Sequence, residues 1–163
     1  MKVFLKGGKA ASEESILALE LALKISIPSA YRDFLRTSDG AAPESNMVGG
    51  DNRGRYSVRQ FIPGAEIMKE RSQIENIRTG AFPIAYDACG NYFLVDVEQA
   101  GAVFFWDHEQ PWDIIRVADG LCDFLDLLEP FDTRTVALRP EQVKRIWVDP
   151  VFLEKLKDKA KAN

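Results

Sequence analysis

Residues 82–107 read FPIAYDACGNYFLVDVEQAGAVFFWD, three apolar runs separated by two short turn signals. The first turn contains Gly90 and the second contains Gly101. Short glycine-containing turns between apolar runs are typical of neighbouring antiparallel strands. The stretch therefore predicts an antiparallel β-meander with strands over 82–86, 91–97 and 102–107.

The predicted meander is apolar on both of its faces. Successive residues of a strand point to opposite faces, so Phe93, Val95 and Val97 share one face while Tyr92 and Leu94 share the other. Such a sheet needs a cover on each side. Helices packed on one side cannot account for all of this burial.

Helix signals lie on both sides of the meander in the sequence. Ser12 and Asp119 have the residue type and position of N-caps, and Pro28 and Pro63 suit the first turn of a helix. Apolar residues then recur at helical spacing after each signal. The predicted helices cover about 12–24, 28–39, 63–70 and 119–129.

Further strands are predicted over 55–61 and 114–117, and residues 41–54 form a long loop rich in Gly, Asn and Ser. These elements predict an α+β fold: a single domain with a mixed, mainly antiparallel β-sheet (the meander) flanked by α-helices. We place this domain at 1–132. Residues 133–163 are predicted to be a C-terminal helical extension packed on the same domain.

Composition sets broad limits on the class of protein. The chain has 163 residues and 46% hydrophobic content, which fits one domain of ordinary size. Cys89 and Cys122 are far apart and lack metal-ligand spacing, so we interpret both as small buried thiols rather than a zinc site or a disulfide. Because signal-like and membrane-spanning apolar runs are missing from the sequence, we expect a cytoplasmic protein that does not contact a membrane.

Negative charge is concentrated in one part of the chain. Residues 87–132 hold 11 acidic side chains and a single basic one, Arg116, whereas residues 133–163 hold eight basic and four acidic. Phosphate contacts require Lys and Arg, so the acidic stretch argues against direct nucleic-acid binding. One interpretation is that these carboxylates solvate loops and cap helices. The other is a surface that attracts a basic protein.

Candidate catalytic groups are few. His108 is the single histidine, and neither Cys89 nor any serine lies in a nucleophile-elbow pattern. We interpret His108 as a solvent-facing or locally hydrogen-bonded loop residue, and we predict no metal site, no cofactor and no enzymatic activity. A catalytic role of His108 stays open as an alternative.

Aromatic residues accompany the acidic ones where the third strand of the meander ends. We interpret Phe104 and Phe105 as core residues. Trp106 and Trp112 are either core residues or interface anchors, because tryptophan beside carboxylates at a strand end is a composition typical of interfaces. The loop 41–54 is a predicted second patch. The predicted partner-contact residues are Asp87, Asp96, Trp106, Asp107, Glu109, Trp112 and Asp113.

Five stretches of the chain, taken together and in order, carry a family resemblance. They are the first helix with Glu20, IPSAYRDFL at 27–35 followed by Asp39-Gly40, FPIAYDACGN at 82–91, VFFWDHE at 103–109, and the helix from Val117-Ala118-Asp119 to Phe124-Leu125. In this order they resemble the SUKH superfamily, which includes cell-wall-assembly regulators, and the resemblance covers about residues 12–130.

This resemblance implies a single α+β domain that acts by stoichiometric binding. Many members of the superfamily are bacterial immunity proteins, so it implies a cytoplasmic protein that neutralises a cognate toxin, often a nuclease, of a polymorphic or contact-dependent toxin system. The toxin would be a basic protein that meets the acidic, aromatic surface. The alternative is a housekeeping interaction or regulatory domain without a toxin partner, like the fungal relatives.

Overall fold

The predicted meander forms the centre of the fold in the computed structural model. The structure describes residues 4–49, 56–131 and Asp149. The described residues up to Phe131 belong to one compact unit. The predicted helical extension over 133–163 lies outside the described residues apart from Asp149, as do positions 50–54 of the predicted loop and Arg55 at the start of the predicted strand.

The helices of the described residues are α1 (Glu13–Leu23), α2 (Ser29–Ser38), α3 (Ile67–Arg71) and α4 (Leu121–Asp126). The strands are β1 (Leu5–Lys6), β2 (Ala42–Pro43), β3 (Met47–Val48), β4 (Tyr56–Ser57), β5 (Gln60–Phe61), β6 (Ala81–Tyr86), β7 (Tyr92–Asp96), β8 (Ala102–Trp106), β9 (Ile115–Ala118) and β10 (Leu128–Glu129).

Strands β5 to β9 form one five-stranded sheet in sequential order, and all its pairings are antiparallel. Two smaller sheets, β1–β2 and β10–β3–β4, accompany it. A mixed sheet was expected. Among the described residues, every strand pairing of the five-stranded sheet is antiparallel. The prediction of an α+β domain built on an antiparallel meander with flanking helices is confirmed.

Helices α1, α2 and α4 cover the first face of the five-stranded sheet. Ser12 begins α1 by accepting a hydrogen bond from the Ser15 amide at 3.1 Å, as the N-cap prediction requires. Apolar residues at helical spacing then face the sheet. This core includes Ile16, Leu19, Leu23, Tyr31, Phe34, Leu35 and Phe124 from the helices and Phe93, Val95, Val103 and Phe105 from the sheet.

The second face of the sheet is covered by a non-helical segment, residues 72–80. Ile74 and Ile77 of this segment pack against Leu94, Phe104 and Trp106. The three sheet residues are all less than a tenth exposed. The expectation that helices on one side could not bury the whole meander is therefore confirmed.

A buried carboxylate holds this covering segment. Asp96 is 2% exposed, and its side chain accepts hydrogen bonds from the Glu98 amide at 3.0 Å and from Arg78 at 3.1 Å. Arg71 adds a bond from its Nε to the Ala81 carbonyl at 2.9 Å. Because a buried charge needs such partners, Asp96 is a structural residue at the start of the turn that follows β7.

The predicted strand over 55–61 is two strands in two sheets. The chain leaves the small sheet at Val58, whose amide donates to the Asn46 carbonyl at 2.7 Å. It joins the large sheet at Arg59, whose amide donates to the Tyr86 carbonyl at 2.8 Å. The continuous alternation in the sequence concealed this change of partner.

Two smaller predictions were wrong. Gly120, not Asp119, is the N-cap of α4, and Asp119 forms an ion pair with Arg116. Cys89 and Cys122 are both exposed rather than buried. Cys89 lies at the tip of the β6–β7 hairpin, and Cys122 follows Leu121 on α4 at a position that points away from the sheet.

Asp39 ends α2 and joins it to the residues that precede α3. Its Oδ1 accepts a hydrogen bond from the Gly64 amide at 2.7 Å. Burial raises the pKa of the Asp39 carboxyl above its usual range; the Gly64 bond opposes this shift and the nearby Glu66 charge adds to it. The folded protein therefore holds the Asp39 proton more tightly than the unfolded chain does.

We expect Asp96→Ala to lower the free energy of unfolding by about 1–3 kcal/mol, because it removes the carboxylate that accepts hydrogen bonds from the Glu98 amide and from Arg78. Asp119→Ala is the matched control: it removes an exposed carboxylate whose ion pair with Arg116 is worth about 1 kcal/mol or less. Denaturant unfolding of both variants measures the difference. Equal losses in the two variants would contradict a structural role for Asp96.

We expect Asp39→Asn to be more stable than the wild type at neutral pH. A raised pKa means that wild-type stability falls as pH rises from the ordinary aspartate pKa of about 3.9 through the higher folded value. The asparagine carbonyl still accepts from Gly64 and carries no charge. The stability difference, measured by unfolding from pH 3 to pH 7, should grow with pH and then level off; a difference that shrinks with rising pH would refute the assignment.

Candidate protein-binding surface

Residues 107–114 connect β8 to β9, and we call residues 107–113 of this connection the acidic loop. It consists of two successive turns, closed by hydrogen bonds from the Gln110 amide to the Asp107 carbonyl at 3.1 Å and from the Asp113 amide to the Gln110 carbonyl at 3.0 Å. The Asp107 carboxylate accepts from the Glu109 amide at 2.9 Å. Backbone and side-chain hydrogen bonds together stabilise this loop conformation.

The acidic loop presents a large aromatic side chain among carboxylates. Trp112 is 80% exposed, whereas a large aromatic side chain is usually buried for the most part. Glu109 and Asp113 are exposed, and Asp107 is half-buried. The loop thus combines the two ingredients of an interface, an aromatic anchor and a charged rim.

A cleft of about 170 Å³ lies beside the acidic loop. The rings of Tyr56 and Phe105 stack in it with centroids 4.2 Å apart. This volume is smaller than the roughly 300–1,000 Å³ of typical small-molecule sites, so the cleft fits a single side chain better than a metabolite. The residues that line it are Tyr56, Phe105, Asp107, Gln110, Asp113 and Ile115.

The tip of the β6–β7 hairpin is hydrogen-bonded to the acidic loop. Asn91 Oδ1 accepts from the His108 amide at 3.1 Å and lies 2.8 Å from His108 Nδ1, so that nitrogen carries the proton. Asn91 Nδ2 in turn donates to Asp87 at 2.8 Å. A chain of hydrogen bonds therefore runs from the hairpin into the loop.

Asp87 is part of this support. Its Oδ1 accepts from the amides of Cys89 at 2.7 Å and Asn91 at 2.9 Å, and the residue is 8% exposed. These bonds shape the hairpin turn, in which Gly90 adopts a φ of 96° that other residues rarely adopt. The Asp87 carboxylate therefore makes its hydrogen bonds within the domain.

The structure divides the predicted partner-contact residues into two groups. Asp107, Glu109, Trp112 and Asp113 lie together on the acidic loop. Asp87, Asp96 and Trp106 do not join them, and this part of the prediction is corrected: all three are less than a tenth exposed, and Trp106 packs under Ile74 on the second face of the sheet. Burial therefore removes these three side chains from the candidate surface.

The acidic loop itself contains three carboxylates, Asp107, Glu109 and Asp113, and neither Lys nor Arg. Arg116, the single base of residues 87–132, pairs with Asp119 at 2.9 Å. It is therefore already engaged by a carboxylate outside the loop. A cationic partner would meet little competition from this base.

The described residues contain no group of three or more His, Cys, Asp or Glu side chains that could hold a metal ion. The bond between His108 and Asn91 confirms the interpretation of this histidine as a locally hydrogen-bonded loop residue. Across the part of the chain that the structure describes, none of the helices has the length and apolar character needed to cross a bilayer.

Sequence reasoning missed the residues that complete the cleft and its support. Tyr56 reaches the cleft from β4, far away in sequence, and lies two residues after the loop 41–54 that is the predicted second patch. Phe105 was interpreted as core, and it also lines the cleft. The pairing of Asn91 with His108 had no sequence signal, because 17 residues separate them.

Comparison with known proteins gives one family match. The family model described as SMI1 / KNR4 family (SUKH-1) matches residues 10–127. The matched region includes α1 to α4, the five-stranded sheet, the acidic loop and the cleft. No curated protein matches the chain.

We expect Asn91→Ala to loosen the acidic loop without unfolding the domain. In this variant the His108 amide loses its acceptor, Asn91 Oδ1. Its hydrogen exchange should become about fivefold to tenfold faster, which corresponds to about 1 kcal/mol. Hydrogen-exchange NMR measures this rate. Cys89→Ser, which changes an exposed side chain of the same hairpin, is the control, and an unchanged His108 rate in Asn91→Ala would show that the hairpin does not support the loop.

Proposed function

The chain belongs to the SMI1/KNR4 family (SUKH-1), and on this premise we propose that it is an immunity protein that binds and neutralises a cognate bacterial toxin. The proposed partner is a basic protein of a polymorphic or contact-dependent toxin system, often a nuclease. The proposed action is stoichiometric, non-catalytic and cytoplasmic. Family membership supports the binding role, and the acidic loop supports the chemistry of the partner.

The observation that carries this proposal is the cleft beside the acidic loop. Two carboxylates, Asp107 and Asp113, line a space whose other walls include the stacked rings of Tyr56 and Phe105. A lysine or arginine side chain has an apolar stem and a cationic end. Its stem would pack on the rings while its charge meets the carboxylates, an arrangement that favours a basic partner over an acidic or apolar one.

Trp112 supplies the second element of the proposed contact. An exposed tryptophan that becomes buried in an interface is a frequent energetic hot spot. Burying most of the apolar surface of Trp112 against a partner would contribute about 2–3 kcal/mol to the free energy of binding. The cleft and Trp112 together combine charge recognition with hydrophobic anchoring on one short loop.

A nuclease fits this surface for a physical reason. Enzymes that bind nucleic acids present Lys and Arg to the phosphates, so the region around their active site is basic. An acidic loop would bind such a region in place of the phosphates and exclude the substrate. Opposite charges would also speed the encounter of the two proteins.

A regulatory domain without a toxin partner is the alternative within the same family. It would use the same loop to bind a basic protein of its own cell. The distinction depends on what the neighbouring gene encodes and on whether the chain protects cells. Co-expression with a toxin encoded next to the chain, scored by growth and by isolation of a complex, separates the two.

We expect the triple variant Asp107→Lys, Glu109→Lys and Asp113→Lys to lose protection and to weaken toxin binding by 100-fold or more, since each reversal replaces an attraction with a repulsion. Trp112→Ala should weaken binding by about tenfold to 100-fold, in the range of interface hot spots. Isothermal titration calorimetry with the purified toxin domain measures both.

The control for these variants is Asp119→Lys and Asp123→Lys, which reverse two exposed acidic residues outside the acidic loop. They should retain affinity within about threefold. Circular dichroism should show that all variants are folded. Full affinity in the triple variant would eliminate the acidic loop as the toxin-binding surface.

A further inference from the structure

Strand β9 is the last strand of the five-stranded sheet, and one of its two edges has no partner strand among the residues that the structure describes. Its other edge pairs with β8. Arg116, in the middle of β9, is exposed, so water reaches the unpaired edge. Such an edge presents backbone amides and carbonyls that a strand of another protein can bind.

The direction of the backbone groups in the sheet follows from the β6–β7 hairpin. The Asp87 amide donates to the Asn91 carbonyl at 3.1 Å, so the backbone groups of Asn91 face β6. Because this direction alternates along an antiparallel strand, the groups of Tyr92 face β8. The carbonyl of Tyr86, which lies opposite Tyr92, agrees with this assignment: it accepts from the Arg59 amide at 2.8 Å and so points away from β7.

The same alternation, carried across the sheet, gives the direction of the groups in β9. Trp106 pairs with Tyr92, so its backbone groups face β7 and those of Phe105 face β9. Phe105 pairs with Ile115, so the groups of Ile115 face β8. The amide and the carbonyl of Arg116 therefore point away from the sheet, onto the unpaired edge.

This outward edge extends from Ile114 to Arg116. Ile114 packs on the second face of the sheet whereas Ile115 lines the cleft, so the strand alternation begins at Ile114 and its backbone groups point outward like those of Arg116. Neither Ile114 nor Arg116 takes part in the turn and loop hydrogen bonds between described residues. The register with β8 shifts at Val117, and this bulge ends the regular edge. A partner can therefore pair over a short stretch, directly beside the acidic loop.

We propose that this edge binds an extended segment of the toxin as an additional antiparallel strand, an inference that rests on the proposed toxin contact. Directly opposite residues of an antiparallel pair share one face of the sheet. The toxin residue opposite Ile115 therefore lies beside a side chain that lines the cleft. A lysine or arginine at that position directs its cation toward Asp107 and Asp113. The added strand thus supplies the cationic side chain that the cleft favours.

A second copy of this chain does not match the edge. Two-fold antiparallel pairing of β9 with itself has three registers in which outward residues bond to outward residues. These registers place Val117, Ile115 or Asp113 of the second copy opposite Ile115. None of these side chains is cationic, so the carboxylates of the cleft would gain no partner. The charge of the cleft selects a basic strand instead.

A proline at position 116 tests the added strand. Arg116→Pro removes an outward amide, which edge strands tolerate, and its ring blocks close approach of another strand. We expect this variant to bind the purified toxin domain encoded next to the chain about 30-fold more weakly, as for the loss of two hydrogen bonds. Arg116→Ala is the matched control: it keeps the backbone amide and should retain affinity within about threefold.

The outcomes of this experiment separate the added strand from the proposed function. Equal affinity of Arg116→Pro and Arg116→Ala, whether retained or lost, would overturn the added strand. If the triple acidic-loop variant still loses binding in that case, the proposed toxin contact stands without it. A wild-type chain that binds no toxin domain would overturn both.

Hydrogen exchange of the wild-type chain gives a test that does not depend on the folding of the proline variant. In the free chain the Arg116 amide should exchange rapidly, whereas the Ile115 amide, bonded to β8, should be protected. Adding the toxin domain should slow exchange of the Arg116 amide about tenfold or more. Protection of Arg116 in the free chain, or an unchanged Arg116 rate in the complex, would overturn the proposal.

Discussion

Both faces of the meander are apolar, and this constraint determines how the rest of the described chain is arranged. A sheet that exposed either face would lose the burial of several large side chains, each worth about 2 kcal/mol. Helices α1, α2 and α4 cover one face with residues from both ends of the domain. The segment 72–80 covers the other with few residues, so it depends on anchors at Asp96 and Arg71 rather than on regular structure. Because both faces of the sheet are covered, the exposed polar residues of the meander lie in the turns and loops at the strand ends.

The acidic stretch of the sequence contains carboxylates of two physical kinds. Asp87 and Asp96 are buried at the beginning of tight turns, where the Asp87 carboxylate accepts hydrogen bonds from two backbone amides and the Asp96 carboxylate from one. Asp107 combines such a turn with a position in the cleft, while Glu109 is exposed. Counting negative charges over the stretch therefore overestimates the surface charge that a partner meets. The acidic loop is a smaller and more ordered feature than the composition indicates.

Local patterns in the sequence were sufficient for the elements but not for the site. The N-cap at Ser12 and the leucine spacing placed α1 within one residue at each end, because capping and burial act between near neighbours. The cleft requires Tyr56 to reach Phe105 across two sheets, and no local pattern encodes that contact. The difference in burial between Trp106 and Trp112 does have a signal in the sequence. Trp106 continues the strand alternation of Phe104 on a covered face, whereas Trp112 lies beyond the end of the strand. Strand alternation was the better guide to burial than the proximity of carboxylates.

The proposed binding loop gains from the rigidity of its surroundings. Two backbone turns fix Asp107 and Asp113, the stacked rings fix one wall of the cleft, and Asn91 ties the loop to the neighbouring hairpin. A surface that is already ordered loses little conformational entropy when a partner arrives, so more of the contact energy remains as affinity. The carboxylates act over a longer range and favour rapid encounter, whereas Trp112 and the cleft act only at contact and slow dissociation. A short loop at the end of two well-covered strands can supply both properties because the strands, and not the loop, carry the stability of the domain.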